Sequence, residues 1–246
     1  MKHTRLIMGM PVTLILPNGN TELINEAFEY FRYVDETYSP FKPGSEVSKI
    51  NAGLPESRWL LEMRSILALC EQTKHETNGY FDAWRGGKLD PSGLVKGWAI
   101  HNVALWLGEV GQEDFYVEAG GDIEVSGTNA NKKPWRIGIR NPFNRDEIVK
   151  VVELAKGGIA TSGTAVRGQH IYNPHQLEMP LTDVVSLTVI GPDIYEADRF
   201  ATAAFAMGKA GVEWIESLPG LEGYMVSSDR TATVTTGFGG YEVAGR

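Results

Sequence analysis

Asp198 and Thr202 stand four residues apart in a run, Glu196 to Gly208, that reads as a helix. Its residues are strong helix formers, it has no interior proline or glycine, and Gly208 is placed as a stop. Ala197, Phe200, Ala201, Ala204 and Phe205 recur at i, i+3, i+4, i+7 and i+8 and mark a core face. The i, i+4 spacing puts the Asp198 carboxylate and the Thr202 hydroxyl one above the other on the flank of that face. Hard oxygens of this kind suit Mg²⁺. The same pair also fits a plain helix start, with an acid near the N-terminus and a threonine bonded back to a carbonyl. These residues alone leave both readings open.

Other side chains carry complementary chemistry. Between Thr77 and Trp98 the chain crowds aromatic, acidic, basic and glycine residues together, a composition poor for a core and good for a ligand loop. Ser92 is placed to cap a helix from Gly93 to Trp106, with Val95, Ala99, Val103 and Trp106 inward. Backbone N–H groups at such a helix start, with Lys96 in its first turn, can hold a phosphate; a capped helix with a solvated lysine is the alternative. Phe41, Tyr80 and Phe81 offer flat surfaces for a ring. His170, with an ordinary pKa near ~6.5, can move a proton at neutral pH, or be a core histidine with satisfied hydrogen bonds. A nucleotide carrying a pyrophosphate would use all of these.

Other machineries are disfavoured. Thr161-Ser162-Gly163 is not a nucleophile elbow, the glycine clusters do not form Gly-x-Gly-x-x-Gly between a strand and a helix, and no Walker A lysine is present. His170 and His175 are too sparsely accompanied for zinc. The one cysteine, Cys70, lies in an apolar pattern that predicts a buried thiol and excludes an intrachain disulfide. A net charge of −8 argues against a nucleic-acid binder or a binder of anionic membranes. The first ten residues show neither an apolar signal core nor a lipobox, and no membrane span is found, so a cytoplasmic protein is expected.

At 246 residues with 42% hydrophobic content the chain suits one large domain or two interleaved lobes. Strands are expected within 5–16, 115–118, 123–127, 135–139, 148–152, 157–164, 184–190, 223–226 and 232–235, with a histidine at a short strand end in 169–174. Helices are expected over 21–37, from Ser45, from Arg58 to about Thr77, from Gly93, through the opening segment, and over 211–217. This order is α+β rather than strict βαβ alternation.

The motifs occur in an order that resembles the FAD:protein FMN transferases, the ApbE family, over nearly the whole chain. They are Met8-Gly9-Met10, Tyr38-Ser39-Pro40-Phe41 through Ile50-Asn51, Thr77 through Asp82, Leu89 through Ala99, and Glu118 through Ile123. Ala160 through Gly163, His170 through Pro174, and Ala197 through Ala203 complete the series. The resemblance implies a single domain over 1–246 of mixed, largely antiparallel sheets flanked by helices, in two interleaved lobes with the flavin site between them. It implies Mg²⁺-dependent cleavage of FAD, attachment of FMN through its phosphate to a threonine of a target protein, and release of AMP. Asp198, Thr202 and the Gly93 carbonyl are the implied metal ligands. Met8, Phe41, Tyr80, Phe81, Asp82, Asp90, Lys96 and Ile171 are implied to line the FAD site, and His170 occupies the place of the proton-accepting histidine. The implied partner is an acceptor protein with an Asp/Ser-Gly-Ala-Thr-like motif, which this chain lacks. An FAD pyrophosphatase and a non-catalytic flavin-binding protein are the competing readings.

The chain departs from the family pattern in places. Met10 stands where threonine is usual, Val95 where a small residue is common, and His175-Gln176-Leu177 where Thr-Gly is usual. The segment between Asp82 and Asp90 is short, which leads us to expect a smaller, more open site.

Overall fold

A computed structural model describes residues 1–164, 171–177 and 179–243. Lys2–Ile7 (β1) and Met10–Ile15 (β2) form an antiparallel hairpin. Its turn holds Met8 at φ 55° and Gly9 at φ 69°, the left-handed pair that a tight hairpin turn requires. Helix α1 (Thr21–Tyr38) follows, capped by the Asn20 side chain on the Leu23 N–H, and buries Ile24, Ala27, Phe28, Phe31 and Val34 at helical spacing. Short α2 (Glu46–Asn51) is capped by Ser45. Helix α3 spans Leu61–Glu76, later than the expected start, because Glu56–Arg58 form a separate 3-10 turn. Trp84–Arg85 (β3) and Lys88–Leu89 (β4) make a small hairpin within the short 82–90 segment, and α4 spans Ser92–Glu109.

The remaining strands are β5 (Phe115–Ala119), β6 (Asp122–Ser126), β7 (Trp135–Asn141), β8 (Asn144–Leu154), β9 (Lys156–Gly163) and β10 (Val184–Gly191). Helices α5 (Ile194–Ala206) and α6 (Ala210–Glu216) precede β11 (Glu222–Ser227) and β12 (Ala232–Val234). The order β1-β2-β5-β6-β9-β10-β11-β12 makes one 8-stranded sheet, and every pairing in it is antiparallel. The fold is α+β with antiparallel sheets flanked by helices, as expected, and the described strands pair antiparallel throughout. Residues 171–174 lie outside any strand, in place of the expected short strand end.

The sheet separates two cores. On one face α1, α3, α4 and α5 pack over residues such as Leu14, Val117 and Val189. On the other the β7–β8 hairpin covers Ile123, Val125, Ile159 and Ile190. Strand β6 is buried on both faces. Its period of two sends Ile123 and Val125 to the hairpin and leaves Asp122 and Glu124 for the helices. Cys70 is buried on α3, and burial pushes its thiol up to about 12. Among the described residues, no helix is long and apolar enough to cross a membrane.

Candidate active site

A cavity of ≈ 680 Å³ opens where the β1–β2 turn, the loop after α1, the β3–β4 hairpin and the start of α4 meet. That volume suits a small organic ligand. Local hydrogen bonding explains how each wall is held. The Ser45 hydroxyl donates to the Ser39 carbonyl at 2.6 Å and accepts the Ser48 N–H at 3.0 Å, fixing the Pro40–Gly44 loop. Phe41 on that loop is 88% exposed although it lines the cavity, so its ring is presented to solvent. The Thr77 hydroxyl donates to the Thr73 carbonyl at 2.7 Å and accepts the Phe81 N–H at 3.1 Å, while Asn78 and Gly79 turn the chain with positive φ. Tyr80 is thereby half-exposed in the wall, and Phe81 is buried against the first turn of α4. Phe81, although 3% exposed, still borders the cavity beside Tyr80. The Asn51 amide pairs with both backbone groups of Leu89, at 2.9 and 2.7 Å, and so places the adjoining Asp90.

The expected Ser92 cap is not formed. Pro91 holds the N-cap position with no side-chain bond, and Ser92 is the first helical residue. Asp90 supplies the acceptor instead, its Oδ1 taking the Ser92 N–H at 3.1 Å. Trp106, expected inward, is half-buried at the edge of a second cavity between α1 and α4, whereas Val95, Ala99 and Val103 are buried. Met8, Asp82 and Ile171 line the main cavity with Tyr80, Asp90 and Lys96. Lys74 pairs with Asp82 at 2.8 Å, and the Asp82 Oδ1 accepts the Trp84 N–H at 2.9 Å. His170 lies outside the described residues.

Helix α5 reaches the same place from the sheet side. Asp193 caps it, accepting the Glu196 N–H at 2.9 Å, so Asp198 has no capping duty. Asp198 is 2% exposed, and its Oδ2 accepts the Gly97 N–H of α4 at 2.8 Å. Helix geometry would assign that N–H to the Gly93 carbonyl, four residues back. A Cβ on Gly93 would lie 3.3 Å from Thr202 Cγ2 and 3.8 Å from its Oγ1, which sets the helix start against Thr202. Thr202 lines the cavity, and among the described residues its hydroxyl makes no hydrogen bond, so it does not bond back along the helix.

Lys96 joins the two sides. Its ammonium pairs with Asp122 and lies 3.4 Å from Asp198 Oδ1. Asp122, buried at the start of β6, also accepts the Thr161 N–H of β9 at 3.0 Å. Burial raises the Asp198 pKa; the Lys96 charge opposes that rise, Asp122 adds to it, and the Gly97 bond lowers it. Five residues along α4, His101 meets Glu124 through Nδ1 at 3.1 and 3.2 Å, and Glu124 Oε2 accepts the Ile194 N–H at 3.4 Å. Asp122 was missed as a site residue. Its signal was a charged side chain opening a strand whose neighbours are apolar, directly after Gly120-Gly121.

The donor chemistry fits a hard cation. Asp198, Thr202 and the first turn of α4 offer a carboxylate, a hydroxyl and a carbonyl within one corner. Among the described residues no three His, Cys, Asp or Glu side chains gather as a metal site.

Comparison with known proteins bears on the family and the fold. The sequence model of the ApbE family matches residues 83–225. A FAD:protein FMN transferase of Vibrio cholerae is 35% identical over 130 residues, covering 49% of this chain and 39% of that protein. Its counterpart in Klebsiella pneumoniae is 31% identical over 148 residues, covering 56% of this chain and 42% of that protein. The matched segments thus span about two fifths of these relatives' own length. Among solved structures, the ApbE protein of Thermotoga maritima superposes with TM-score 0.83 at 22% identity, covering 99% of both chains. The flavin transferase ApbE of Vibrio cholerae superposes with TM-score 0.84 at 21% identity, covering 98% of both. At such identities the structural likeness is one of fold.

Proposed function

Because the chain belongs to the ApbE family, we propose that it cleaves FAD in a Mg²⁺-dependent reaction, attaches FMN through its phosphate to a threonine of an acceptor protein, and releases AMP. The observation that carries this reading is that Gly93 and Thr202 line the cavity with Lys96, Tyr80 and Phe41, while Asp198, one turn before Thr202 on α5, lies 3.4 Å from the Lys96 ammonium. An oxygen-rich corner beside an ammonium and aromatic walls matches a ligand that carries both a pyrophosphate and flat rings.

Asp198, Thr202 and the Gly93 carbonyl would hold the cation. When bound, Mg²⁺ neutralises charge on the phosphate oxygens and on the departing AMP. The ammonium of Lys96 and the N–H groups at the start of α4 would orient the pyrophosphate. Phe41 and Tyr80 would contact the ligand's rings, and Met8, Asp82, Asp90 and Ile171 complete the walls. His170 would take the proton from the incoming threonine hydroxyl. Residues 1–246 are read as one functional unit, placed in the cytoplasm and acting on a partner with an Asp/Ser-Gly-Ala-Thr-like motif.

The test is incubation with FAD, Mg²⁺ and proteins bearing such motifs, followed by denaturing electrophoresis. A fluorescent acceptor band that survives denaturation supports transfer, and its absence with every acceptor overturns it. The exposed Phe41 rim gives one reason to weigh a second outcome, hydrolysis to FMN and AMP. FAD turnover with no acceptor present would identify it.

A further inference from the structure

Lys96 is placed between two acids that burial has stripped of water. The Asp122 and Asp198 side chains are 2% and 3% exposed, whereas that of Lys96 is 20% exposed and borders the cavity. One ammonium therefore serves two carboxylates, and ionised together the three groups carry an excess negative charge. Buried charges of one sign are tolerated only with a compensating partner. Asp122 is fixed by the Thr161 N–H and Asp198 by the Gly97 N–H, so neither carboxylate is free to swing away. The flexible member is the lysine, whose long stem reaches both the acids and the cavity.

We propose that the Lys96 ammonium is a built-in competitor of the divalent cation, holding the Asp122–Asp198 pair when no cation is bound and turning to an anionic phosphate in the cavity when one is. This inference rests on the cation reading given above. Its consequence is thermodynamic coupling. The cation releases the ammonium for the phosphate, the phosphate draws the ammonium off the carboxylates, and each ligand strengthens the other by the same factor. Mutual attraction of the two ligands adds to that coupling in any variant, so the lysine's share is read from the difference between proteins.

The experiment titrates the wild-type protein, Lys96→Met, Lys96→Arg and Asp122→Asn with Mn²⁺, followed by the resonance signal of free Mn²⁺, with and without saturating ADP as a pyrophosphate probe. Lys96→Met is expected to bind Mn²⁺ alone roughly 5–50-fold tighter than wild type, within the usual range of coupling between sites. Lys96→Arg should stay near wild type. Asp122→Asn, which leaves the ammonium to Asp198 alone, should bind more weakly. ADP should tighten Mn²⁺ binding several-fold more in wild type than in Lys96→Met. Equal or weaker Mn²⁺ binding by folded Lys96→Met, or equal ADP effects in the two proteins, overturns the proposal. If Lys96→Met does not fold, Asp122→Asn binding Mn²⁺ as wild type does overturns it instead. Failure of the wild-type protein to bind Mn²⁺ would strike the cation reading itself, which separates the two failures.

Discussion

The Gly97 N–H donates to Asp198 Oδ2 at 2.8 Å, and a Cβ on Gly97 would sit 2.7 Å from Asp198 Cβ and 2.9 Å from that same oxygen. Helices α4 and α5 therefore approach so closely that only glycine fits between the backbone of one and the carboxylate of the other. Gly97→Ala is expected to cost about 1–3 kcal/mol of stability, as overpacking of a tight contact does. Because the carboxylate must also move, FAD cleavage should fall further than stability does. Chemical denaturation and turnover measured on the same preparation would check both.

Asp198 and Thr202 should separate by degree. Asp198→Ala is expected to lower Mg²⁺-dependent FAD cleavage by a factor on the order of 10²–10³ or more. Thr202→Ser keeps the hydroxyl and should retain part of the activity. Full activity in Asp198→Ala would return the helix to a purely structural role.

Phe41 can be tested without disturbing the fold. Being 88% exposed, it buries little, so Phe41→Ala should leave the melting temperature unchanged. If its ring meets the ligand's, the loss of about 0.5–1.5 kcal/mol should weaken FAD binding roughly 2–10-fold. Fluorescence titration with FAD measures it.

The His101–Glu124 pair predicts a pH dependence of stability. Burial alone would lower the His101 pKa, but the hydrogen bond and charge of Glu124, with Asp193 and Glu196 nearby, outweigh it and raise the value. A raised folded pKa means that the stabilisation is full below the ordinary histidine value and is lost as pH rises through the folded value. Burial also raises the Glu124 pKa, against the charge of His101, and this has the same sign. The stability gap between wild type and His101→Gln should therefore be widest near pH ~6 and narrow toward pH ~9. Urea unfolding across that range decides it, and a gap that widens with pH contradicts the assignment.

Cys70, whose thiol burial holds near 12, should resist iodoacetamide at neutral pH and react once the protein is unfolded.

Much of this arrangement was legible because short motifs encode local geometry. The helix start at Ser45 and the core faces of α1 and α5 follow from residue type and spacing alone. The alternation of Ile123 and Val125 gives a strand without any partner being known. Pairings across long stretches of chain were not legible. Lys96 meets Asp122, Gly97 meets Asp198 and Asp122 meets Thr161 only once the sheet is assembled. Propensity also misplaced the cap of α4: Ser92 is already helical, its own N–H is taken by Asp90 Oδ1 from outside the helix, and the Leu94 and Val95 N–H groups go to the Pro91 carbonyl. Phe81 borders the cavity as its sequence neighbours suggested, and its depth is set by the Thr77 hydroxyl that holds its N–H.

Strand β6 and helix α4 are matched in pitch. Two residues of strand rise about 6.8 Å and five residues of helix about 7.5 Å, so Asp122 and Glu124 meet Lys96 and His101 as successive rungs. One residue inserted into β6 would exchange both acids for isoleucine and valine at once. One residue inserted into α4 between the rungs would swing His101 about 100° around the axis. Length changes are therefore forbidden here in either element alone. They must be absorbed at hairpin tips such as Gly86-Gly87 or Asn141–Asn144, which are the places to graft a tag or splice in a sensor domain.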